Sequence, residues 1–134
     1  MDEKDREILE ILREDGRASY TEIAEQLDVS EGTVRNRVEN MKEDGTIEKF
    51  TVETSNNDIS AVVLTKLETS QDPEKVIEQL PEGLKVHEVT GEHDLVINLD
   101  REETEQINDA IDEIRKIEGV RETVTKSVLR ETET

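Results

Sequence analysis

Between Ser30 and Met41 the sequence reads SEGTVRNRVENM, and Val34, Val38 and Met41 fall at i, i+4 and i+7, the spacing of a buried helical stripe. Once that stripe is set aside, Ser30, Glu31, Gly32, Thr33, Arg35, Asn36, Arg37 and Asn40 are the candidates for exposure. These residue types suit base edges and phosphates. A guanidinium donates to paired guanine acceptors, a carboxamide matches adenine, and a hydroxyl serves either. Gly32, close to the helix start, lets backbone approach a phosphate where free N–H groups attract anions. Within 30–42, Arg35, Arg37 and Lys42 outnumber Glu31 and Glu39, so the stretch is locally basic.

A second chemical candidate lies at Gly91-Glu92-His93-Asp94. As a turn between strands, it needs only Gly91 to supply a positive φ. As a ligand loop, it offers backbone N–H groups near Gly91 to a carboxylate and Asp94 to an ammonium group. His87 and His93 stand near Glu88, Glu92 and Asp94, but a strand His and a turn His make no metal-ligand spacing, and no metal or other cofactor is expected. No nucleophile elbow and no Gly-rich phosphate loop occur, so enzymatic chemistry is not expected.

The elements that must carry these residues follow from periodicity. Residues 2–15 place Ile8, Leu9, Ile11 and Leu12 on one helical stripe with acids in the first turn, and Gly16 ends it. Ser19 and Glu22 form a capping box for a second helix whose Ile23, Ala24 and Leu27 face inward. Asp28-Val29 is a turn, and Ser30 caps a third helix to about Asp44. TIEKFTV, with Ile47, Phe50 and Val52, suggests a short β-ribbon. Three helices, a tight turn between the last two and a ribbon make a winged helix-turn-helix over 1–52. The polar, aperiodic stretch 53–60 is the expected linker. Beyond it, strands at 61–68, 84–90, 95–99 and 120–129 alternate with helices opened by Asp72-Pro73 and spanning 102–117. That β-α-β-β-α-β order predicts a ferredoxin-like α+β domain over 61–134.

Composition sets limits and raises one objection. Of 134 residues, 36 are acidic and 17 basic, a formal charge of −19, and Cys is absent. A disulfide framework, thiolate metal sites and cysteine catalysis are therefore excluded. No apolar run approaches the ~20 residues that span a bilayer, and no signal-peptide core opens the chain, so a soluble, cytoplasmic protein without membrane partners is expected. So acidic a surface argues against nucleic acid unless it is an adaptation to molar salt, where charge repulsion is screened within ~3 Å. Acids on nearly every expected solvent face, without an acidic tail, favour the salt adaptation. The local basicity of residues 30–42 answers the objection.

The residues also carry a family pattern. GRASYTEIAEQLDVSEGTVRNRVENMKEDGTIEKF resembles the helix-turn-helix of the Lrp/AsnC, or feast/famine, transcription regulators, and PEGLKVHEVTGEHDLVINLD with IRKIEGVRETVTKSVL is similar to their C-terminal RAM domain. The resemblance implies a sequence-specific regulator of double-stranded promoter DNA. It also implies dimers through the RAM domain, assembly up to octamers, and an amino-acid effector. The family's T-G-x-x-D loop matches Thr90, Gly91 and Asp94, and His93 lies in the same turn. Such an acidic surface resembles that of members from extreme halophiles. The alternative from another class is a metabolite-sensing or protein-interaction module without specific DNA binding of its own.

Overall fold

The structure, a computed structural model, describes residues 1–54 and 58–134. It divides into two compact units, Met1–Ser55 and Asn56–Thr134. The division falls inside the expected linker 53–60, of which residues 55–57 lie outside the described residues.

The first unit is three helices, α1 (Glu3–Glu14), α2 (Tyr20–Leu27) and α3 (Glu31–Glu43). Asp2 caps α1 through a reciprocal box with Asp5, and Ser19 caps α2 through one with Glu22. Each box satisfies amides that a helix start leaves without partners. Asp28 ends α2 in the left-handed region at φ 54°, and its N–H donates to the Ala24 carbonyl. That sharp reversal lets Ser30, the cap of α3, follow only two residues later. Ile8, Ile23, Ala24, Val34, Val38 and Met41 form the core, with Leu9, Ile11, Leu12, Tyr20 and Ile47 packed around it.

The β-ribbon expected from 46–52 is not formed. Ile47 folds back onto the helical core, its N–H donating to the Met41 carbonyl at 2.9 Å, while Phe50 and Val52 remain exposed and no strand occurs in 46–54. The physical reason lies in the spacing. Ile47, Phe50 and Val52 do not alternate with period two, and the next apolar run, 61–64, lies in β1 (Ile59–Leu67), which is already paired on both sides by other strands.

The second unit is a four-stranded antiparallel sheet in the order β2-β3-β1-β4, built from β1 (Ile59–Leu67), β2 (Lys85–Glu88), β3 (Leu95–Arg101) and β4 (Val120–Ser127). Helices α4 (Pro73–Glu78) and α5 (Thr104–Lys116) cover one face. Ala61, Val63 and Leu67 of β1 and Leu95, Ile97 and Leu99 of β3 are buried with Val76 of α4 and Ile107, Ala110, Ile111 and Ile114 of α5. This is the βαββαβ order expected from the sequence. In β4 the expected alternation is broken. The register shifts between Lys66 and Leu67, so Leu67 pairs with Val120 while Lys66 pairs with Glu122. This bulge puts Val120 and Thr123, three residues apart, on the helix side, and leaves Val124 on the open face. Val128 lies past the strand end.

Candidate functional site

Helix α3 begins at Ser30, whose Oγ accepts from the Thr33 N–H at 3.1 Å and lies 2.8 Å from Thr33 Oγ1. Both hydroxyls therefore serve the helix start. Val34, Val38 and Met41 are buried, as their spacing requires, and the rest of the helix surface is turned outward. Gly32, Arg35, Asn36 and Asn40 are exposed; Glu31, Thr33 and Arg37 are half-buried. Gly32, Asn36 and Asn40 follow at steps of four, so they form one ridge along the helix. Thr33, Asn36, Arg37 and Asn40 also line a shallow depression with Asp5, Met41 and Asp44.

The expected basic character of this face needs correction. Each cation of α3 is already in an ion pair. Arg35 pairs with Glu31 one turn earlier and lies over the Tyr20 ring, 5.1 Å from its centroid. Lys42 is 3.5 Å from Glu39. Arg37 reaches across to α1, 2.6 Å from Asp2 Oδ2 and 3.2 Å from Asp5 Oδ1. The Arg37 guanidinium, with the Asp5 amide, holds the Asp2 carboxyl down at about 2, below its ordinary 3.8. Counting residues within 30–42 missed Asp2 and Asp5 because they lie some thirty residues away in sequence. Tyr20 was missed as well. Its signal was its position directly after the Ser19 cap, as the chain's single Tyr.

In the second unit, Thr90 and Gly91 are exposed, and His93 and Asp94 are half-buried. Gly91 takes φ +111°, which a side chain would resist. Asp94 fastens this turn at three points. Its N–H donates to the Thr65 carbonyl at 2.9 Å, its carbonyl accepts from the Val89 N–H at 2.9 Å, and its Oδ2 accepts from the Leu67 N–H at 2.8 Å. One carboxylate oxygen is thus committed to β1. Among the described residues, the amides of Gly91, Glu92 and His93 make no hydrogen bond. No grouping of three or more His, Asp or Glu able to hold a metal occurs among the described residues.

Comparison with known proteins accounts for both units. The AsnC-type helix-turn-helix domain matches residues 1–42, and the Lrp/AsnC ligand binding domain matches residues 60–134. The chain belongs to the Lrp/AsnC family. It is 39% identical to the HTH-type transcriptional regulator LysM of Saccharolobus solfataricus, over 97% of this chain and 94% of that protein. It is 32% identical to the regulator FL11 of Pyrococcus furiosus, over 97% and 90%. Among solved structures, E. coli AsnC superposes with a TM-score of 0.87 at 25% identity, over all of this chain and 95% of that one. A Neisseria meningitidis transcriptional regulator in complex with L-Met superposes at 0.85 with 21% identity, over 100% and 93%. As an Lrp/AsnC protein, this chain is a DNA-binding transcription regulator with a ligand-binding domain, and the family consists of regulators rather than enzymes. No helix among the described residues is long and apolar enough to cross a membrane.

Proposed function

We propose that the exposed ridge of α3 is the surface that reads promoter DNA. Arg35, Asn36 and Asn40 take base edges, while Gly32 and the capped start at Ser30 and Thr33 meet a phosphate. The observation that carries this is the division of α3 itself: one stripe wholly buried, the opposite one made of carboxamides, a guanidinium and a glycine. Arg37 belongs to the clamp on α1, so it steadies the helix while its neighbours read.

The protomers pair through the open face of the sheet. Val62 and Leu64 of β1, Val96 of β3 and Val124 of β4 share that face, opposite the one covered by α4 and α5. Lys66 and Glu122 are paired across strands at its margin, so an apolar centre with a charged rim results. An effector of amino-acid size sits at the turn, its carboxylate on the amides of Gly91 to His93 and its ammonium group at Asp94 Oδ1, flanked by Thr90. The same-fold neisserial regulator bound to L-Met supports that size of ligand. The acidic surface supports work in concentrated salt in the cytoplasm.

Selection of bound duplexes from a random DNA library tests the reading. The full chain should enrich a two-fold symmetric sequence, and light scattering should give twice the 15.3 kDa chain mass or a higher even multiple. Alanine at Arg35 or Asn36 should weaken binding to that duplex by ~1–3 kcal/mol, and unchanged affinity for both would refute the assignment.

A further inference from the structure

Arg35 is held on two sides by residues that do not share its turn of helix. Glu31, four residues earlier on α3, pairs with its Nη2, and Tyr20, the first residue of α2, lies under its guanidinium at 5.1 Å. Tyr20 is itself half-buried and packed against the core of the first unit, so the ring is anchored. Arg35 nevertheless stays exposed, with 58% of its side chain accessible. An exposed arginine ordinarily samples many rotamers and must lose that freedom when it binds. Here a ring below and a carboxylate at one end restrict it beforehand. A guanidinium has five N–H donors, and the Glu31 contact engages one nitrogen, so donors remain for a base edge.

We propose that Tyr20 and Glu31 are positioning residues that pre-orient the Arg35 fork, and so set the base preference at the pair Arg35 reads. This rests on the assignment of α3 as the reading helix. Tyr20 supplies a flat support that accepts a guanidinium from any arginine rotamer lying over it. Glu31 selects among those rotamers, and it also repels phosphate, which penalises every DNA register in which Arg35 finds no base acceptor to replace the carboxylate. The preferred partner is a base edge with two acceptors, as guanine presents in the major groove.

The test compares affinity for the duplex selected by the wild-type full chain with affinity for a scrambled duplex of equal length, for Tyr20→Leu, Tyr20→Phe, Glu31→Gln and Arg35→Ala. Tyr20→Leu should narrow the selected-to-scrambled ratio by about three- to fivefold, the strength of an exposed cation–ring contact, and Tyr20→Phe should restore it. Glu31→Gln should narrow the ratio by strengthening binding to the scrambled duplex. Equal ratios for the Leu and Phe variants, or an unchanged ratio for Glu31→Gln, would overturn the proposal while Arg35→Ala still shows its loss. If Arg35→Ala also leaves the ratio unchanged, the helix face is wrongly assigned and the proposal falls with it. Should Tyr20→Leu not fold, as a circular dichroism melt would show, the isosteric Glu31→Gln decides by the same ratio.

Discussion

Arg37 of α3 and Asp2 at the N-cap of α1 lie 2.6 Å apart, though 35 residues separate them in sequence. The contact ties α3, the helix proposed to read DNA, to the first turn of α1, and Asp5 adds a second arm at 3.2 Å. Both acids belong to the capping box of α1, so one guanidinium braces a helix start and a helix middle at once.

The first prediction concerns pH. Asp2 should titrate near 2 in an NMR experiment, and in Arg37→Met it should move up toward 3.8. A depressed carboxyl contributes stability above its unfolded pKa and loses it as pH falls through the folded value. The stability gap between wild type and Arg37→Met should therefore be full near pH ~5 and close between about 4 and about 2. A gap independent of pH would mean the ion pair adds nothing.

The second concerns salt. A regulator that neutralises several phosphates with free cations loses roughly a thousandfold or more in affinity between ~50 and ~200 mM salt, because bound counterions are released. Arg35, Arg37 and Lys42 are paired internally, so phosphate must displace a carboxylate that then gathers its own cation. Loss of affinity for the selected duplex over that range should stay below about tenfold, read by fluorescence anisotropy. A steep loss would show that other cations dominate.

How much of this was legible in the sequence depends on range. The caps at Ser19 and Ser30, the buried stripe of α3 and the βαββαβ order all rest on spacings within one element, and the structure has them as read. What was not legible involved partners distant in sequence. The pairing of Arg37 with Asp2, the hold of Asp94 on Leu67 and the bulge opposite Lys66 require the chain to fold back on itself before they exist. The ribbon failed for a related reason: Phe50 and Val52 are strand-forming residues, but a strand needs a neighbour.

A third prediction comes from Thr65, wholly buried on the helix side of β1 with a hydroxyl that finds no partner among the described residues. Thr65→Val removes that buried polar atom and keeps the shape, so urea unfolding should show stability unchanged or raised by up to about 1 kcal/mol. Thr65→Ala leaves a void and should destabilise by about 1 kcal/mol. Strong destabilisation by valine would reveal a partner for the hydroxyl.

The last concerns the open sheet face. Leu64→Glu, or Val124→Glu beside it on β4, places a charge in the apolar centre proposed for dimerisation. Either should shift light-scattering mass toward the single chain and abolish footprints while leaving the far-UV spectrum intact. Retention of the wild-type mass would relocate the interface.

The internal pairing of the α3 cations bears finally on how the protein spends its time in a cell. A chromosome offers millions of non-cognate positions, each a weak competitor for any regulator attracted by phosphate alone. A reading helix whose positive charge is already answered at home gains little from such positions, so few copies are drained away. A small number of molecules then suffices to keep a rare promoter occupied.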